Sequence, residues 1–224
     1  MIKKAGFIAL FVTVLTLFCG LNQSARATRS HHLAERDFAD LGEKPIISNY
    51  DQLMRTVGEA EGQDWRLMSA IAYHESRFMP NLTSPSGARG LMQIMPSVAR
   101  QFEIPVESIA DPTTNVWLAG KLLGKLTSML RLPAETPEED KLSLLLASYN
   151  GGIGHINDAR RLARYHGENA NSWEVVSRYL ALKSQPEYYQ LSVVKCGRFT
   201  GFGQTQAYVK DVMKRYQKYR LLTK

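Results

Sequence analysis

Glu75 is the residue whose type and position most invite chemistry. It follows Met68, Ile71 and Ala72 at the three-and-four spacing of one helical face, on a segment that starts near Trp65 with Asp64 as its cap. A carboxylate on an apolar face must either find a partner or hold its proton to higher pH than usual. In the second case the group can protonate a leaving oxygen and later take a proton back, the work of a general acid and base. The candidate partners are the Arg77 and Arg89 guanidiniums and the Tyr73 hydroxyl, and pairing with one of them would make Glu75 structural. Spacing alone leaves both readings open.

Other chemistries fail their own tests. His74-Glu75 begins like a zinc-peptidase helix, but the second histidine that such a helix needs four residues on is replaced by Phe78. No Gly-x-Ser-x-Gly turn exists to expose a serine nucleophile. His31 and His32 adjoin without further ligands, so no metal site is expected there. Glu59, Glu61 and Asp64 precede or begin the helix of Glu75, and none is marked as a second catalytic carboxylate.

The residues after Glu75 narrow the choice. Glu75-Ser76-Arg77-Phe78-Met79-Pro80-Asn81, followed by Ser84-Pro85-Ser86-Gly87-Ala88-Arg89-Gly90-Leu91-Met92-Gln93-Ile94-Met95-Pro96, resembles the signature of the soluble lytic murein transglycosylase catalytic domain family, whose fold is goose-type-lysozyme-like. Ala147-Ser148-Tyr149-Asn150-Gly151-Gly152-Ile153-Gly154 is similar to the second motif of that family, and Thr205-Gln206-Ala207-Tyr208-Val209 to its third. Gln204 stands where the family often has Glu, and Ser148 replaces a common Ala or Gly. The likeness runs from about Tyr50 to Tyr219.

That resemblance implies a mechanism. Glu75 would cleave the bond between N-acetylmuramic acid and N-acetylglucosamine in peptidoglycan glycan strands, alone among the carboxylates and without cofactor, leaving a 1,6-anhydromuramoyl end. Ser84, Gln93, Met95, Tyr149, Asn150 and Tyr208 would bind the substrate. Phenols can hydrogen-bond the acid and pack on sugar, an amide offers donor and acceptor, and a thioether adapts to an apolar surface. Two alternatives remain: a hydrolytic muramidase that admits water, and a non-catalytic wall-binding module that keeps the groove.

The elements that must position these residues are mainly helical. Ala119, Leu122, Leu123, Leu126 and Leu130 form one stripe after the start signal Asp111-Pro112. Leu142, Leu145, Leu146 and Tyr149 form another, which Gly151 and Gly152 end. Further helices are predicted over 153–166, 173–182 and 205–222. Strand-like alternation is scarce, so the fold class is mainly α, a lysozyme-like helical domain with at most a small β element around 82–94.

The N-terminus reads as an export signal. Lys3 and Lys4 precede an apolar run from Ala5 to Phe18, and Ala25-Arg26-Ala27 supplies a small-x-small cleavage site, giving a signal peptide over 1–27; a retained membrane anchor is the alternative, disfavoured because the run falls short of the ~20 apolar residues that span a bilayer. A polar arm over 28–49 and a catalytic domain over 50–224 follow. Removal of the signal leaves 25 basic against 21 acidic residues, a mild positive bias that suits an anionic wall polymer or membrane surface. No nucleic-acid fingerprint accompanies it. Cys19 offers a possible lipid anchor, disfavoured because Phe18 precedes it, so an outer-membrane lipoprotein ranks below a protein exported to the periplasm or cell envelope. Only Cys196 would remain after cleavage, which excludes an intramolecular disulfide.

Overall fold

Helix boundaries follow from local chemistry that the sequence displays openly. A computed structural model describes residues 46–223; the signal 1–27, Cys19, His31, His32 and the arm as far as residue 45 lie outside them. In chain order the helices are α1 (Asp51–Glu61), α2 (Trp65–Ser76), α3 (Pro96–Gln101), α4 (Pro112–Leu130), α5 (Glu138–Gly151), α6 (Ile153–Tyr165), α7 (Trp173–Leu182), α8 (Pro186–Tyr189) and α9 (Phe202–Leu222), with a 3-10 turn over Val106–Ala110. Asp64 caps α2 by accepting from the Arg66 N–H at 2.9 Å. Asp111 does the same for α4 through the Thr114 N–H at 2.8 Å, with Pro112 in the first turn.

Helix α2 lies at the centre of the site's scaffold. It buries Leu67, Met68, Ala70, Ile71 and Ala72 and packs against α1 on one side and α9 on the other. Helix α5 in turn packs on α9, α6 and α4, so the Tyr149 end of α5 and the Glu75 end of α2 converge on the same long C-terminal helix. Tyr216 of α9 donates to Asp64 at 2.8 Å and fixes how α9 runs along α2.

The expected β element reduces to two isolated antiparallel bridges, Thr83 with Arg89 and Arg89 with Ile94, and no strand forms among the described residues. Four short or unexpected elements are α1, α3, α8 and the 3-10 turn. Gly58 interrupts the apolar pattern of α1, yet it is needed there because an added β-carbon would come within 2.7 Å of the Gln63 carbonyl. The short helices α3 and α8 each begin at a proline, whose fixed φ favours a first turn without an extended apolar stripe.

A second buried polar region holds the loop before α9. Asp158 of α6 and Lys183, just beyond α7, are both fully buried and lie 2.7 Å apart. Asp158 also pairs with Arg161 and accepts the Lys195 and Cys196 N–H groups, each at 2.8 Å. Lys183 Nζ is 2.6 Å from His155 Nδ1, and the His155 ring lies 4.6 Å from that of Phe199. Cys196 is a free, exposed thiol.

Candidate active site

Helix α2 ends at Ser76, one residue beyond Glu75, and is capped by Arg77, whose φ of 53° is left-handed and turns the chain away. The loop that follows is held over the helix end by side chains from three helices. Ser76 donates to the Ala72 carbonyl at 3.1 Å and to the Leu91 carbonyl at 2.8 Å. Tyr149 of α5 donates its hydroxyl to the Met92 carbonyl at 2.8 Å.

Asn115 of α4 supplies the third hold, and it is fully buried. Its Nδ2 donates to the Arg89 carbonyl at 2.9 Å and the Ile109 carbonyl at 3.1 Å, while its Oδ1 accepts the Met92 N–H at 2.8 Å. Gly90 is required at this contact. Its φ is +78°, and an added β-carbon would lie 2.5 Å from Asn115 Nδ2.

The pocket so made changes the ionisation of Glu75. Burial pushes its carboxyl up to about 7, against which only the Tyr208 hydroxyl pulls down. Among the described residues Glu75 makes no ion pair, and neither Arg77, Arg89 nor Tyr73 serves as its partner. Burial raises Tyr149 and Tyr208 well above the ordinary phenol range, and the nearby Glu75 charge adds to it in both. The Tyr208 hydroxyl is close enough to act on the carboxyl, but its geometry falls short of a well-formed hydrogen bond, leaving a buried phenol without a fixed partner. His74 meets the Tyr208 ring edge-on at 4.6 Å. A carboxyl so placed holds its proton on about half of the molecules near pH 7, so it can both give and take one.

The predicted site residues divide into two groups. Glu75, Tyr149 and Tyr208 come together from α2, α5 and α9. Asn150 lies at the same junction and accepts the Thr205 hydroxyl at 2.9 Å, joining the end of α5 to the start of α9. The other three belong to the overlying loop. Gln93, at φ 48°, directs Nε2 to the Leu82 and Gly90 carbonyls at 3.1 and 3.0 Å, which leaves its amide oxygen available. Ser84 accepts the Ala88 N–H at 3.0 Å, so its hydroxyl proton is the part left over. Met95 is 38% exposed at the start of α3.

Ser76 and Asn115 do as much for the site as several predicted residues, and the sequence reading gave neither a role. A signal for Asn115 existed: it continues the stripe of Ala119, Leu123 and Leu126 backwards, a polar side chain at an apolar position.

Comparison with known proteins places the chain in a family. The family model described as Transglycosylase SLT domain matches residues 52–172, from the start of α1 to the turn before α7. The chain belongs to that family. It is 40% identical over 131 residues to membrane-bound lytic murein transglycosylase F of Shewanella pealeana, covering 58% of this chain and 26% of the relative. To the protein of the same name from Marinobacter nauticus it is 34% identical over 169 residues, 75% of this chain and 31% of the relative. To that from Actinobacillus pleuropneumoniae it is 33% identical over 192 residues, 83% and 38%. The chain therefore spans well under half the length of these relatives.

Among solved structures it superposes on the 70 kDa soluble lytic transglycosylase of Escherichia coli with a TM-score of 0.52, at 24% identity over 77% of this chain and 24% of the other. Lytic transglycosylase Slt from Pseudomonas aeruginosa gives the same score at 21% identity, covering 76% and 24%. The fold of this SLT-domain chain is thus the expected mainly α, lysozyme-like one. Among its described residues no helix is long and apolar enough to cross a membrane.

Proposed function

We propose that the protein is an exported peptidoglycan lytic transglycosylase, working in the periplasm or cell envelope after loss of residues 1–27, with 50–224 as its catalytic domain. The observation that carries the reading is the Glu75 carboxyl, raised to about 7 in a pocket where no other carboxylate acts on it. Family membership and the names of its relatives support the substrate class.

In this reading the protonated Glu75 gives its proton to the oxygen linking N-acetylmuramic acid to N-acetylglucosamine. The substrate's own N-acetyl group stabilises the developing cation, which removes the need for the second carboxylate that most glycosidases carry. The Glu75 carboxylate then takes the proton of the muramoyl C6 hydroxyl as that oxygen closes on C1. A pKa near 7 suits both halves, since each form is then well populated near neutral pH. Tyr149 and Tyr208 keep the pocket apolar around the acid, and Tyr208 has a free hydroxyl to offer it. Gln93, Ser84, Met95 and Asn150 bind along the strand through their remaining polar or apolar atoms.

Mass spectrometry of soluble products from purified peptidoglycan tests this directly. Anhydromuramoyl ends with the native chain and none with Glu75→Gln are expected. Reducing muramic acid ends would make it a hydrolase, and binding without products would make it a wall-binding module.

A further inference from the structure

On the flank of α2 that faces α9, near the helix end that carries Glu75, two guanidiniums share one aromatic ring. Arg77 lies 4.2 Å and Arg215 3.4 Å from the centre of Tyr73, so the two charges are no farther apart than the sum of those distances. Phe78 meets the same ring edge-on at 5.9 Å. Neither arginine makes an ion pair or a side-chain hydrogen bond among the described residues, although Arg77 is exposed and Arg215 half-exposed. Asp211, one turn before Arg215 on α9, is exposed and stays beyond ion-pair distance.

A helix dipole accounts for one of these cations and not for both. Arg77 follows the C-terminus of α2, where positive charge is favoured. Arg215 comes from the middle of α9 and is drawn to the same spot, against the repulsion of a like charge, by the face of Tyr73. Holding both there orders two flexible side chains and leaves their donor forks unused, an arrangement suited to an anion with two oxygens. Both cations also lower the pKa of His74, after the larger effect of burial and against Asp211, so their field reaches the residue next to Glu75 on the helix.

We propose that Arg77 and Arg215, braced on Tyr73, bind the carboxylates of the peptide stems that hang from the muramic acid residues of the glycan. This rests on the peptidoglycan reading above. Stems project beside the strand, so a subsite two residues past the acid and outside its apolar pocket is where their charge would arrive. It would give the enzyme a preference for peptide-bearing over peptide-stripped glycan.

The test measures binding in the Glu75→Gln background, where nothing is turned over. Soluble glycan strands of equal length, with stems and after amidase removal of stems, are titrated into the full chain at low and high salt. The expected ratio of affinities favours the peptide-bearing strand about tenfold at low salt. Arg77→Gln with Arg215→Gln should bring it close to one, as should high salt, while Arg→Lys at both positions restores only part. Arg215→Gln alone, on a mid-helix site, separates this effect from any disturbance of the left-handed turn at Arg77. A ratio of one in the parent, or one unmoved by the arginine changes, would overturn the proposal. So would loss of binding to vesicles of anionic phospholipid in its place, which would assign the pair to a lipid surface. Failure of the native chain to cleave peptidoglycan would instead strike the transglycosylase reading and leave this ratio to be judged separately.

Discussion

Glu75 and Asp158 are both carboxyls withdrawn from water, and the protein treats them in opposite ways. Asp158 has a full set of partners: the Lys183 ammonium, the Arg161 guanidinium and two backbone N–H groups. Burial pushes its pKa up, but those partners outweigh burial and hold it below the ordinary value. Glu75 has burial and one loosely placed phenol, and its pKa goes up to about 7. Desolvation is common to both, so the difference lies in what each pocket supplies to the charged form. Where partners are supplied, the charge fastens a loop; where they are withheld, the proton becomes available for chemistry.

The largest effect expected from this contrast is on activity. Glu75→Gln should lower the rate of glycan cleavage at least about a thousandfold while leaving the circular dichroism spectrum unchanged; a variant with more than a tenth of native activity would remove Glu75 from the role. At the other carboxyl the loss should be one of stability. Lys183→Met leaves Asp158 buried with Arg161 as its remaining cation and should cost about 3–5 kcal/mol in urea unfolding, whereas a cost below about 1 kcal/mol would mean that the pair holds nothing.

Stability against pH sharpens the contrast, because the two groups give slopes of opposite sign. Between pH 4.5 and about 7 the folded chain keeps a proton at Glu75 that the unfolded chain releases, so this contribution is present at low pH and lost as pH rises through that window. The full difference is on the order of 3 kcal/mol, and Glu75→Gln should be the more stable protein at pH 8 by that order. Asp158 contributes above the usual carboxylate range and fails only as acid protonates it, so Asp158→Asn should lower stability at neutral pH, where it strands the Lys183 ammonium, and erase the acid limb. Unfolding curves at about pH 3, 5, 6.5 and 8 separate these outcomes, and parallel curves for native and Glu75→Gln chains would count against the raised pKa.

Smaller effects test the walls of the active pocket. Asn115→Ala strands the Met92 N–H and the Ile109 carbonyl, while the Arg89 carbonyl keeps the Ile94 N–H, and should cost about 2 kcal/mol, with activity on soluble strands falling more than stability because the loop carrying Gln93 loosens. Equal, small losses would mean that the loop holds without it. Tyr208→Phe should change stability least, since its hydroxyl has no formed bond to lose. Removing that hydroxyl takes away the one group that lowers the Glu75 pKa, so the basic limb of the pH–rate profile should move to higher pH; movement to lower pH would contradict the placement of the phenol.

Much of the fold was legible because its signals are local. Asp64 and Asp111-Pro112 marked the starts of α2 and α4, the stripe from Ala119 to Leu130 marked the body of α4, and Gly151-Gly152 marked the end of α5. Helix α1 and the short elements were not legible. The apolar pattern of α1 is broken by a glycine that exists for a close contact with Gln63, and helices of four to six residues carry too few turns to show a period.

At the site, the sequence by itself determined that a carboxyl stands on the apolar face of α2, and the three motifs around it determined the family. It left open whether Glu75 was paired or alone, because Arg77, Arg89 and Tyr73 are all near it along the chain. Only the tertiary structure decided that: Arg77 and Tyr73 face α9, Arg89 makes no ion pair among the described residues, and Tyr149 and Tyr208 arrive from 74 and 133 residues downstream to close the pocket. The physical reason is that desolvation and hydrogen bonding act over a few ångströms in space, while spacing in sequence reports only the neighbours along one helix.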